Sequence, residues 1–180
     1  MSQRWFGLVA VAAAGWVGVD YWRVGHLANV LWTCNVCALL QGIGLLWRRP
    51  ALVKLATVWL WVGLPVWLLD ALQSGDWHAH SWATHLALPL LGLWSLRQNP
   101  TTARVWPAAI ALGVALKVVC RLATPAADNV NLAFRAWDTG SGLDPNLARL
   151  WLGHVAATGV GLWLAERVID GVVRWRRAEG

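Results

Sequence analysis

The stretch LWTCNVCALL, Leu31–Leu40, is apolar enough for lipid yet carries Thr33, Cys34, Asn35 and Cys37 near its middle. In a helix Cys34, Cys37 and Gln41 stand at i, i+3 and i+7 and share one face. The stretch HAHSWATH repeats that spacing with His78, Ser81 and His85. His154 and the pair Lys117 and Cys120 lie in two further apolar segments. A thiol beside an imidazole is a nucleophile–base pair: His removes the thiol proton and the thiolate attacks an acyl carbonyl. The residues expected to do this are Cys34 as nucleophile and His85 as general base. Asn35 or Thr33 is expected to orient the base or donate to an oxyanion. Cys37, Gln41, Ser81, Lys117 and His154 are expected to line the same pocket. The plainer alternative for the two cysteines is small buried packing. For His85 it is a hydrogen bond between helices. For His154 it is close packing along Gly153, Ala157 and Gly161, a small-residue stripe that lets helices approach.

The elements that must position these groups are membrane spans. The chain has 180 residues, 58% hydrophobic and only 13% charged. A soluble domain has ~45–50% apolar and ~25% charged residues, and so little polar surface cannot cover so large an apolar core. Six apolar segments, each near the ~20 residues that cross hydrocarbon, run over 5–20, 27–47, 51–72, 77–96, 103–122 and 147–169. RRP, QSGD and RQNP separate several of them, since Pro lacks a donor and Gly permits turns. The expected fold is an all-α bundle of six transmembrane helices in one domain, 1–180. Tryptophan is abundant, at 16 residues. Trp5, Trp22, Trp47, Trp77, Trp106, Trp137, Trp151 and Trp175 fall at helix ends, where amphipathic rings favour the headgroup level. Trp59, Trp61 and Trp163 fall mid-span and read as packing.

Six crossings place both termini on one side. That side receives Arg4, Arg48, Arg49, Lys54, Arg97, Arg104, Arg167, Arg174, Arg176 and Arg177. The other receives Arg23, Arg121, Arg135 and Arg149. Basic residues mark the cytoplasmic side, so both termini are expected there. The net charge of +6 then reflects topology rather than nucleic-acid binding. Three cysteines, all in apolar segments, form no disulfide framework. Cys34, His85 and His154 each sit ~10–12 Å below the outer ends of inward-running spans, at 1.5 Å per residue. Ionisable groups at that depth face a bundle interior or a watery cavity, which implies an outward-facing polar pocket. His26, His78 and His80 are expected at the solvated boundary. The long 123–146 connection reads as a plain loop rather than an ordered lid. Composition rich in Ala, Arg and Trp and poor in Lys points to a GC-rich bacterial source and its inner membrane.

The segments LWTCNVCALLQGIGLLWRRPALVKLATVWLWVGLPVWLLD, HSWATHLALPLLGLWSL and NVNLAFRAW resemble the YwaF-like integral membrane proteins of bacteria. These are related to eukaryotic transmembrane acyltransferases that remodel ether phospholipids. The resemblance covers the last five spans. It implies Cys34 with Asn35, and His85, as the functional pair, and it matches Asn129 or Asn131 to an Asn-rich segment, which adds Asn131 to the pocket. Trp32 stands where many members carry His, which takes away a second base or a metal role.

The leading expectation is a Cys/His acyltransferase or lipid hydrolase that needs no cofactor. Its partners would be membrane lipids and no nucleic acid, with a homo-oligomer open. A haem or metal protein using His78, His80, His85 and His154 is the first alternative. A non-enzymatic subunit or permease is the second, although paired Gly/Pro-interrupted helices in repeated halves are missing.

Overall fold

Proline and glycine fix the helix ends. Pro50 opens α3 (Pro50–Ser74), where its missing N–H has no intrahelical acceptor to lose. Gly75 closes α3 at φ 77°, a left-handed cap that only glycine adopts without strain. The computed structural model describes residues 3–75, 77, 79–135 and 146–178, and their regular structure is all helical. The other rods are α1 (Gln3–Arg23), α2 (Thr33–Leu46), α4 (residues 79–98), α5 (Trp106–Ala123) and α6 (Leu147–Ala178). Three of them, α1, α3 and α5, are long and apolar enough to cross a membrane, which makes this an integral membrane protein by length and composition. Their outward faces fit that solvent: Leu8, Val9, Leu68, Leu69 and Leu122 are exposed. Trp5, Trp22, Trp47, Trp77 and Trp175 stand exposed near helix ends. Trp59 is packing, with its indole donating to Ala109 O at 2.8 Å. Trp163, expected to pack, is instead exposed.

α3 is the central rod and packs against α2, α4, α5 and α6, while α1 lies on α2. The α1–α2 crossing depends on glycine. A Cβ on Gly7 would meet Leu46 N at 2.9 Å and Gly42 O at 3.0 Å, and one on Gly42 would meet Val11 N at 3.0 Å. This is the closest backbone approach of the small-residue kind. The expected stripe on α6 does not play that part: nothing lies within 4 Å of a Cβ on Gly153, and Gly161 meets only Val62 side-chain atoms.

Two expected spans are interrupted, and both interruptions shape the site. The 27–47 span is not one helix. Leu27–Leu31 is a 3-10 turn, Trp32 is extended at φ −52° and ψ 133°, and α2 starts at Thr33. In α4, residues Ala83–Ala87 form a π-helical turn between Ala79–Trp82 and Leu88–Gln98. Pro89 explains it. Its ring would clash with the carbonyl four residues back, that of His85, and it offers that carbonyl no donor. A wider turn relieves both faults, and such turns recur at functional sites.

Lys54 corrects the charge count. It is 1% exposed and is not a surface charge. Its Nζ lies 2.9 Å from Glu166 Oε1 and 2.8 Å from Asp170 Oδ1, and donates to Ala103 O at 2.8 Å. Glu166 also accepts from the Val105 and Trp106 amides, at 2.9 and 3.2 Å, which caps the start of α5.

Candidate functional site

A cavity of about 630 Å³ is lined from α2, α3, α4, α5, α6 and the connection after α5. Each wall follows helical spacing. α3 contributes Trp59, Val62, Gly63, Val66, Trp67 and Asp70, and α5 contributes Ile110, Gly113, Val114 and Lys117. Thr33, Cys34 and Asn35 come from the first turn of α2, Ser81 and His85 from α4, and His154 from α6. Asn131 comes from the connection. One cavity therefore gathers eight of the ten expected site residues.

Cys37 and Gln41 are the two that it does not gather. Both are fully buried below the cavity. Cys37 packs among Ala10, Ala38, Ala56, Leu60 and Leu88, and Gln41 donates to Leu88 O at 2.8 Å. The shared face exists, but the helices close against it one turn below Cys34, so the lower two residues form a seam.

Cys34 is half-buried in the first turn of α2. No hydrogen bond joins its thiol to His85. The His85 ring is 7% exposed and stacks on Trp67, with centroids 5.0 Å apart and planes at 3°. Its Nδ1 is buried without a hydrogen-bond partner among the described residues. Trp67 in turn meets Trp77 and Trp82 edge-on, at 6.0 and 5.4 Å. Sequence reasoning passed over Trp67. The run Trp59, Gly63, Trp67, Asp70 at i, i+4, i+8, i+11 marked a polar and aromatic stripe on α3 that could have revealed it.

The supporting residues are more committed than expected. Asn35 spends an N–H on Asn29 O at 2.9 Å. Thr33 donates its hydroxyl, at 2.8 Å, and its amide, at 2.9 Å, to Asn131 Oδ1. Asn131 thus caps α2 from 98 residues away, in place of Trp32, which has no capping atom. Its Nδ2 donates to Leu31 O at 2.8 Å and to Cys120 Sγ at 3.2 Å. Asn129, Asn131 and Leu132 all have positive φ, at 42°, 56° and 54°. Asn tolerates that region best among residues with a side chain. Asn129 Oδ1 accepts the Phe134 and Arg135 amides at 3.1 and 3.2 Å, and Val130, Ala133 and Phe134 pack with Cys120 against Leu31 and Trp32. Residues 124–135 are thus an ordered roof, where a plain loop was expected. Residues 136–145 lie outside the described residues.

Lys117 Nζ lies 2.9 Å from His154 Nδ1 and donates to Leu132 O at 3.1 Å. His80, expected at a solvated boundary, is instead held by Asp20 at 3.1 Å and set edge-on to Trp16 and Tyr21. His26 is exposed and meets Asp128 at 3.2 Å. His78 lies outside the described residues. Among the described residues no three His, Cys, Asp or Glu side chains converge as a metal ion requires. No family model, curated protein or solved structure matches the chain.

Proposed function

We propose that this protein is a membrane-embedded acyltransferase or lipid hydrolase with Cys34 as nucleophile and His85 as base. The observation that carries the reading is that a single cavity in a membrane protein is lined by both side chains. His85 takes the thiol proton, and Cys34 attacks the carbonyl of a lipid ester. The C–S bond forms, the ester C–O bond breaks, and the departing hydroxyl receives the proton from His85. Water or a second hydroxyl then attacks the thioester, with His85 again as base, and the thiol is restored. Cys34 stands in the first turn of α2, where the helix dipole suits the negative charge that develops on its sulfur. The absence of a Cys34–His85 hydrogen bond is compatible with this chemistry, because such bonds often tighten only when substrate is bound.

The same proposal takes the six rods as six spans with both termini cytoplasmic and the cavity end outward, in a bacterial inner membrane. What supports it is that α1, α3 and α5 are long and apolar enough to cross, and that the basic residues other than Lys54 still favour the terminal side. It also keeps the YwaF-like resemblance as its family reading. The test is acyl turnover of glycerolipid by purified protein, with Cys34→Ala and His85→Ala as separate variants of normal expression. Both are expected to be inactive, and retained turnover in both ends the mechanism. A colourless, metal-free and active preparation separates it from the haem and metal alternative.

A further inference from the structure

Lys117 is 4% exposed, lines the cavity, and forms no ion pair with a carboxylate among the described residues. Its neighbours are neutral: the Leu132 carbonyl, the His154 ring nitrogen, and the face of Trp151 with its centroid 5.5 Å away. An ammonium has three donors, and two are used. With the lysine charged, His154 Nδ1 accepts, so the ring proton sits on Nε2 and supplies another donor in the same wall. A buried cation without a counter-charge is costly. Val62, Val66, Ile110, Val114 and Val155 give the cavity an apolar wall, and Asp70, Asp128 and Arg135 also line it. The cavity volume, about 630 Å³, is in the range of small-molecule sites, ~300–1,000 Å³.

We propose that Lys117, with His154, is an anion subsite that receives the phosphate of a glycerophospholipid. A cation set among apolar walls suits an amphiphile better than a free ion, since the ester-bearing part of the ligand then meets Val and Ile. The subsite deepens the lipid-enzyme reading by naming the headgroup chemistry. It rests on that reading only for the word substrate.

The experiment measures thermal stabilisation of the protein in neutral detergent by dihexanoyl phosphatidylcholine, dihexanoylglycerol and inorganic phosphate. The phospholipid is expected to raise the melting temperature of the wild type and of Cys34→Ala alike, and dihexanoylglycerol is expected to have little effect. Lys117→Met is expected to weaken phospholipid binding by about tenfold or more, the size of one charge-assisted bond, while Lys117→Arg stays within a few-fold. A shift from inorganic phosphate alone, lost in Lys117→Met, supports the anion site and assigns it to free phosphate. An unchanged shift in Lys117→Met, or equal shifts from phospholipid and dihexanoylglycerol, overturns it. Should Lys117→Met fail to fold, His154→Leu carries the test: a severalfold weakening supports the paired site and none overturns it. A Lys117-dependent shift beside full turnover in Cys34→Ala removes the catalytic reading alone. Cys34-dependent turnover beside a Lys117-independent shift removes the anion site alone.

Discussion

Two lysines lie buried toward opposite ends of α5, and they live in contrary surroundings. Lys54 is held by two carboxylates and a carbonyl, with one of those carboxylates also capping α5. Lys117 faces a carbonyl, a ring nitrogen and a cavity. The first arrangement satisfies its charge within the chain and leaves no room for anything else. The second leaves a donor uncommitted next to open volume. Burial alone therefore says little about function. What the charge is given as a partner separates the two ends: the Lys54 end ties three helices together, and the Lys117 end is arranged for a visitor.

This contrast can be broken by changing each end and reading both stability and turnover. The largest effect is expected from Cys34→Ala, which should lower acyl turnover by about a thousandfold or more and leave the melting temperature near that of the wild type. Next comes Lys54→Met, which strands the buried Glu166 carboxylate and takes the partner of the partly exposed Asp170. It should cost about 3–5 kcal/mol in unfolding free energy, while turnover per folded molecule is kept. If Lys54→Met spares stability, the two ends do not differ as described. Asn131→Ala should cost about 2–3 kcal/mol, because it loses the α2 cap and gives up asparagine's tolerance of the left-handed region at φ 56°. Asn131→Gly loses the same hydrogen bonds but adopts the left-handed region freely, and should cost about 1 kcal/mol less than Asn131→Ala. Melting curves of the pair, with Cys34 labelling rates alongside, separate backbone strain from capping. Smallest is Trp67→Leu, which frees the His85 ring and should lower kcat about threefold with KM nearly unchanged. An equal rise in KM would make Trp67 a binding surface instead.

The apolar runs made the helical architecture readable, because length and hydropathy decide where a helix can lie in lipid. The finer breaks were hidden for specific reasons. Leu27–Trp32 is as apolar as the helix after it, and α2 begins where it does because an amide from Asn131 supplies the missing cap. Lys54 read as a surface charge because its partners Glu166 and Asp170 stand at the far end of the chain. The π turn at His85 was implicit in Pro89, whose clash is with that carbonyl. The i, i+3, i+7 face of α2 was read correctly as a face, but spacing carries no information on how deep the cavity reaches, so Cys37 and Gln41 were assigned to it. On α5 the Lys117 position could be read, whereas the absence of a carboxylate partner among the described residues could be seen only once the helices were assembled.

The Asn131 amide joins two things that sequence keeps apart, the roof over the cavity and the footing of the thiol. A molecule that enters by lifting residues 129–135 must first strip Thr33 and Leu31 of that amide. The roof of the cavity and the turn that carries the sulfur thus hang on a single side chain.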